Sequence, residues 1–184
     1  SFNSYLESYP QGRNALNAHF VLAEIYFEES ESDAALEHYQ KLIDEKPNEF
    51  FEQALVRATQ ILVKQQMLEK AVPLWTQLET VAVYPENKRY AMFNLMRSYY
   101  ESQEFENALK KAEAVLKLKN IEVKVKWDAY EIMAQTSIAL GDSLKAQSAF
   151  KVLEKAPIDK LAAEAYYFRA HQNHKNKNFE RSNE

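Results

Sequence analysis

The sequence predicts an all-α protein, and three observations support this prediction. Apolar residues recur at spacings of three and four positions, as they do along one face of a helix. Two glycines and five prolines among 184 residues are too few for the many turns of an all-β fold. A small residue also returns every 36 to 38 positions, at Ala35, Ala71, Ala108, Ala146 and Ser182. This interval indicates a row of repeated helical hairpins.

The first predicted hairpin shows how each position follows from packing. Leu22 and Tyr26 share one face of a helix, and apolar residues after Ala35 repeat the same spacing in a second helix. Ala23 and Ala35 are small, which lets the two helix backbones approach each other closely. Pro47 ends the second helix, because it has no amide hydrogen and disfavours helical geometry at the residue before it.

The residues that start and stop the helices can also be predicted. Glycine is favoured where the chain must adopt a left-handed conformation, and short polar side chains are favoured at helix N-termini. The interval of 36 to 38 residues exceeds the 34 residues of a common helical-hairpin repeat. The extra residues are expected in the connections between hairpins, such as residues 10–14 and 85–89. The predicted turn glycines are Gly12 and Gly141, and the predicted caps are Asn14, Asp142 and one of Ser30, Ser32 or Asp33.

The spacing of Leu22-Ala23, Tyr26, Ala35, Tyr39 and Pro47 resembles that of a tetratricopeptide repeat, with His19 as a departure at the first aromatic place. The resemblance extends over nearly the whole chain. It implies a right-handed α–α superhelix, the tetratricopeptide solenoid, built from antiparallel helix pairs.

The repeats divide the chain in the same register throughout. We expect a single solenoid segment over residues 1–184, cut from a longer protein, because both ends fall within a repeat and the chain opens on Ser1. The expected parts are a half repeat at 1–10, repeats at about 16–48, 52–85, 89–120 and 127–157, and a partial repeat at 161–184.

Two segments leave alternatives open. Pro73 lies either in the first turn of a helix that starts near Glu69, or at a kink. Residues 121–127 alternate apolar and charged side chains as a strand does, although the same residues also share a helical face. A helix is preferred for this segment, because an isolated strand would have no pairing partner in an all-α array.

The chemistry of the residues favours a protein that is not an enzyme and has no cofactor. No cysteine is present, and two isolated glycines cannot build a phosphate-binding loop. His171 and His174 are close enough in sequence to share a metal ion, but no carboxylate stands at ligand spacing, so no metal site is predicted. His19 and His38 are interpreted as packing or surface residues.

The charge balance argues against nucleic acid and membrane partners. The chain has 23 basic and 27 acidic residues, a net charge of -4, and acidic residues interrupt its longest lysine run. No apolar run reaches the length that spans a bilayer, so no direct membrane insertion is predicted for this segment.

The resemblance also implies where a protein partner would bind. In this family the first helix of every repeat lines a concave groove for a peptide or a partner helix. Aromatic groups with arginine and amide donors would suit an apolar or acidic segment, unless the aromatic rings are instead packed between neighbouring helices. The predicted groove residues are Phe20, Glu24, Phe27, Arg57, Gln60, Tyr90, Phe93, Asn94, Arg97, Tyr100, Glu131, Gln135 and Tyr167, with Gln53 and Val56 also facing the groove.

Two functional hypotheses follow from this resemblance. The first is a non-catalytic scaffold that binds a peptide or partner helix, and the alternative is a self-assembling array, or homo-oligomerisation module. The phrase of Tyr, Pro, a short polar stretch and Ala, at residues 9–15 and 84–91, resembles tetratricopeptide proteins of the bacterial envelope. This narrower likeness favours the periplasm or the periplasmic face of the outer membrane, with the cytoplasm as the other location.

Overall fold

A computed structural model describes residues 1–157 and 162–171, and this part of the chain contains ten helices and no strand. The all-α prediction is therefore confirmed. The helices are α1 Phe2–Ser8, α2 Ala15–Glu28, α3 Ser32–Asp44, α4 Phe51–Lys64, α5 Leu68–Val81, α6 Pro85–Glu101, α7 Phe105–Leu116, α8 Val123–Ala139, α9 Ser143–Leu153 and α10 at residues 162–171.

Short turns join the helices in pairs, and the chain forms two compact units. Within the first unit, Ser1–Ala91, α2 packs on α3, α3 on α4 and α4 on α5. Within the second unit, Met92–Glu184, α8 packs on both α7 and α9. The boundary between the units falls inside α6, so each unit is described by itself.

The same turn closes all four helix pairs. Its central residue adopts a left-handed conformation, with φ between 60° and 76°, and stands five positions before the small alanine of the next helix. The following amide donates to a carbonyl five residues earlier, at 2.8 Å in every pair, which is the hydrogen bond of a Schellman motif. The four central residues are Ser30, Gln66, Gln103 and Gly141.

These turns correct part of the predicted capping. Gly141 is left-handed and the Asp142 side chain accepts a hydrogen bond from the Lys145 amide at 3.0 Å, so both predictions at this turn are confirmed. Two other predictions, the cap of α3 and the cap at Asn14, are wrong in how the helix ends are satisfied. Ser30 is left-handed, Glu31 precedes α3 without a side-chain cap, and the Asn14 side chain makes no capping bond.

Gly12 was also assigned the wrong role. It is not left-handed; a side chain there would clash, because a Cβ atom would lie 2.5 Å from Tyr5 Oη. The hydroxyl of Tyr5 also accepts a hydrogen bond from the Asn14 amide at 3.3 Å. Gly12 is therefore small because the Tyr5 side chain passes close to the backbone of this connection.

The small residues that set the register are buried as predicted. Ala23 and Ala35 are completely inaccessible to solvent, and so are the equivalent alanines of later repeats. Large side chains fill the space beside them, with Tyr39 and Trp75 in the first unit and Phe150 in the second. Close helix contact at the alanines and bulky packing beside them account for the fixed interval.

Helix boundaries settle the two segments that the sequence left open and correct one predicted connection. Pro73 is the sixth residue of α5, so it lies beyond the first turn and within a continuing helix. Residues 123–127 are the first turns of α8, so the helical interpretation of this segment is confirmed. Residues 85–89 begin α6 and do not form a connection, so the prediction of extra loop there is wrong. Part of the longer interval is taken up by α6 and α8, which have 17 residues each.

The last repeat is described only in part. Residues 162–171 are helical, with Ala165 buried and the Phe168 ring stacked on Phe150 at 4.3 Å between centres. The predictions for His174 and Ser182 lie outside the described residues.

Candidate functional site

An open cleft of about 620 Å³ lies in the first unit, along the first two turns of α4. This volume is within the range of pockets that hold small ligands or parts of peptides. Its lining mixes amide and charged groups with apolar ones. The lining residues are Asn48, Glu49, Phe51, Glu52, Gln53, Val56, Arg57, Val81, Val83, Tyr84 and Asn87.

Glu52 shapes this cleft by holding the segment that leads into α6. Its carboxylate accepts hydrogen bonds from the Val83 amide at 2.9 Å, the Tyr84 amide at 3.2 Å and Asn87 Nδ2 at 2.7 Å. A carboxylate at the start of a helix satisfies free amides and interacts favourably with the helix dipole. With its backbone held in this way, the segment leaves the side chains of Val83 and Tyr84 81% and 59% exposed at the rim.

Four predicted groove residues meet beside the cleft. Glu24 accepts a hydrogen bond from the Tyr39 hydroxyl at 2.5 Å, and both of its oxygens accept from Arg57, at 3.3 Å each. The Arg57 guanidinium also lies over the Phe27 ring, 4.4 Å from its centre, and donates to Gln60 Oε1 at 3.4 Å. The charge of Arg57 is therefore already balanced within the protein.

Burial strengthens this network. Desolvation raises the pKa of Tyr39 far above its ordinary value, and the hydrogen bond to Glu24 and the charge of that carboxylate raise it further, while Arg57 opposes the shift. The Tyr39 side chain is completely buried and remains a neutral donor to Glu24 at neutral pH.

Two further predicted groove residues of the first unit are engaged with neighbours. Phe20 stacks on Phe50 at 4.4 Å between ring centres, and Tyr90 lies with its hydroxyl 3.3 Å from Thr59 Oγ1. Both, like Phe27, are half-buried. The alternative interpretation of packed aromatic residues therefore describes much of their surface. Among the residues predicted to face the groove, Gln53, Val56 and Arg57 line the cleft.

The remaining predicted residues lie in the second unit. Arg97 is exposed and lies over the Phe93 ring at 5.5 Å, and the Tyr100 ring contacts Phe105 at 6.4 Å. Tyr167 is 76% exposed on α10. Asn94, Glu131 and Gln135 are half-buried on the first helices of their pairs.

Two histidines of the first hairpin interact in a way that was not predicted from the sequence. His19 on α2 and His38 on α3 place their Nδ1 atoms 2.8 Å apart, so one ring donates a hydrogen bond to the other. The Tyr26 ring stacks on His38 at 5.6 Å, nearly parallel to it. Burial lowers the pKa of both histidines; the neighbouring histidine lowers that of His19 further, and Lys41 lowers both.

A second missed interaction joins neighbouring helix pairs in the second unit. Lys145 Nζ donates to Glu113 Oε1 at 2.7 Å, and this hydrogen bond raises the pKa of Lys145. The two residues lie on the second helices of successive pairs, but Glu113 is five residues after Ala108 and Lys145 is one residue before Ala146, so the repeat register gave no signal for this contact.

The described residues lack two further features, a metal-binding cluster and a membrane-spanning helix. No group of three or more histidine or acidic residues there is arranged to hold a metal ion. None of the helices within residues 1–157 and 162–171 has the length and apolar character needed to cross a membrane.

A protein-family model described as the TT21 fifth ARM repeats domain matches residues 17–114. The chain belongs to this family. The matched residues of this ARM-repeat chain run from α2 into α7 and include the cleft, the Glu24–Arg57 network and the histidine pair. No curated protein matches the chain.

A solved structure extends the likeness of this ARM-repeat chain to its fold. YrrB, described as a TPR protein with an unusual peptide-binding site, superposes with a TM-score of 0.61 over 90% of this chain and 81% of its own, at 17% identity. Identity this low shows the fold alone. The predicted tetratricopeptide-type architecture of paired helices is therefore confirmed, and the ARM-repeat model supplies the family.

Proposed function

We propose that this chain is a protein-interaction scaffold that binds a peptide segment in the cleft of its first unit. The observation that carries the proposal is the cleft itself, with an apolar rim at Val83 and Tyr84 and a floor of Gln53, Val56 and Arg57. Exposed apolar groups beside an exposed side-chain amide, here that of Gln53, are typical of surfaces that bind peptides. The peptide-binding site reported for YrrB is consistent with this use of the fold.

The lining of the cleft indicates what kind of peptide would bind. Val81, Val83 and Tyr84 offer apolar contacts, and the exposed amide of Gln53 can pair with a peptide backbone. Since Glu24 already balances Arg57, an acidic peptide would have to compete with an internal ion pair for its cation. We therefore propose an apolar or aromatic segment and not an acidic one.

A matched pair of tyrosines tests this proposal. Tyr84 lines the cleft and is 59% exposed, whereas Tyr9 lies outside it and is 61% exposed; a proline follows each of them. Peptides selected from a random library against the unmodified chain should bind Tyr84→Ala at least about tenfold more weakly, because an exposed aromatic anchor is lost. Fluorescence anisotropy measures the affinity.

The control decides whether the cleft is responsible. Binding of the same peptides to Tyr9→Ala should equal that of the unmodified chain. Equal losses in both variants, or none in either, would contradict binding in the cleft. Light scattering over a range of concentrations tests the alternative of a self-assembling array, for which mass should rise with concentration and fall in Tyr84→Ala.

Two narrower parts of the proposal concern the cellular location of the protein and its lack of catalytic activity. The bacterial envelope location rests on the two Tyr-Pro phrases, and the upstream residues of the full gene product test it, since an export signal there would support it. The proposal that the scaffold has no catalytic activity of its own rests on the lack of a recognisable catalytic signature in the sequence.

A further inference from the structure

The histidine pair of the first hairpin has the features of a small ligand site. His19 and His38 come from different helices and aim their Nδ1 atoms at each other across 2.8 Å, with ring centres 5.1 Å apart. Both side chains are half-buried, so the hairpin restrains the rings and solvent still reaches them. Stacking of Tyr26 on His38 further restrains one ring.

We propose that His19 and His38 together bind a divalent transition metal ion through their Nδ1 atoms, with zinc as the ion that fits best. Neutral imidazole nitrogens are common zinc ligands. The histidine that carries its proton on Nδ1 shifts to the Nε2–H tautomer on binding, so both rings remain neutral. Water molecules occupy the other coordination positions.

The spacing of the two rings supports this geometry. With zinc–nitrogen distances of about 2.0–2.1 Å and a tetrahedral angle, two ligating nitrogens lie about 3.3 Å apart and their ring centres lie about 5 Å apart. The ring centres already have this separation at 5.1 Å. Binding therefore requires the Nδ1 atoms to part by about half an ångström through ring tilting, without movement of the helices.

The charged residues around the histidine pair affect its affinity for zinc in opposite directions. The carboxylates of Glu37 and Glu45 are close enough to act on the charge of His19, and they would attract a cation, whereas Lys41 would repel one. Two protein ligands are fewer than the three or four of catalytic and structural zinc sites. We therefore expect an exchangeable ion that is bound more weakly than a structural zinc.

The test uses the full chain and zinc chloride alone. Calorimetric titration should show one zinc ion bound per chain. Two-dimensional NMR of the histidine rings labelled with ¹⁵N should show the Nδ1 signals of His19 and His38 shifting during the same titration. The NMR measurement reads the proposed ligand atoms directly and does not depend on a variant that folds.

The chain supplies a matched control, because it has four histidines and the other two, His171 and His174, are close in sequence. His19→Gln and His38→Gln should each weaken zinc binding at least about tenfold, while the double variant of His171→Gln and His174→Gln should bind as the unmodified chain does. Circular dichroism verifies that each variant remains helical. Binding lost only in the double variant, or unchanged Nδ1 signals at saturating zinc, would overturn the proposal.

Discussion

At the residue scale, Glu24 was predicted to face a groove, but its carboxylate makes hydrogen bonds within the protein. Its carboxylate is half-buried and would be costly to desolvate alone, but Tyr39 and Arg57 supply three hydrogen bonds to it. Arg57 comes from the next helix pair, 33 residues away in sequence. Glu24 therefore joins the two helix pairs and leaves Arg57 less free to bind an external anion.

We expect Tyr39→Phe to lower the free energy of unfolding by about 1–2 kcal/mol, because Glu24 loses a hydrogen bond from a fully buried hydroxyl. Urea denaturation followed by circular dichroism measures this change. Tyr9→Phe is the control, since Tyr9 is 61% exposed, and it should change stability by less than about 0.5 kcal/mol. Equal effects in the two variants would show that the bond to Glu24 contributes nothing.

Sequence reasoning found the face of α2 that carries Glu24 but not the partners of its side chain. Helical spacing gives the direction of a side chain, and the choice of partner then depends on the rotation of one helix against another. His19 and His38 illustrate the same limit, because their contact across 19 positions has no periodic signature. Interactions near the repeat interval, such as Glu52 with Tyr84, could have been anticipated by aligning the repeats.

At the element scale, the turn within each helix pair contains a left-handed residue, but only one of the four turns has the glycine that favours this conformation. This glycine is Gly141, while Ser30, Gln66 and Gln103 bear side chains that this conformation disfavours. Because a left-handed residue was expected only at glycines, the left-handed conformation of these three residues was not predicted. Their positions five residues before each buried alanine nevertheless follow the register that the sequence gives.

Opposite substitutions at two equivalent turns test the cost of this conformation. Gly141→Ala should lower the free energy of unfolding by about 1–2 kcal/mol through backbone strain, since no atom lies within 4 Å of the added Cβ. Gln103→Gly should raise it by about 0.5 kcal/mol, because relief of strain exceeds the extra chain entropy of glycine. Thermal denaturation compares the variants, and shifts of the same sign would refute the shared turn.

The start of α6 depends on a side chain from another element. Glu52→Ala removes the acceptor of two amides and one side-chain amide, so we expect a loss of about 1–2 kcal/mol in stability. Glu49→Ala is a close control, because Glu49 lines the same cleft and is exposed. Hydrogen exchange should increase in the first turn of α6 only for Glu52→Ala. Equal exchange in the two variants would show that Glu52 does not stabilise the start of α6.

At the scale of the whole molecule, the repeat register was predictable because it depends on composition at few positions. A buried alanine at each close helix contact is required sterically, and it recurs at Ala35, Ala71, Ala108 and Ala146. The division into two compact units was not predictable in this way, since the chain continues through α6 without a break in its helical pattern. The cleft was predicted only in part: Gln53, Val56 and Arg57 were expected to face a groove, but the segment after α5 that completes the lining was not.

Repeat proteins bury their cores between neighbours, so damage to one repeat should remain local. Leu153 is buried beside Ala146 and Phe150, and Leu153→Ala should cost about 2–5 kcal/mol by opening a cavity there. Hydrogen–deuterium exchange should then increase in α8 and α9, with α2 to α4 unchanged. Leu144→Ala on the same helix is the control, because Leu144 is 78% exposed and should leave exchange unaltered. Uniformly faster exchange from α2 to α9 would instead indicate a single cooperative fold, contrary to nearest-neighbour packing.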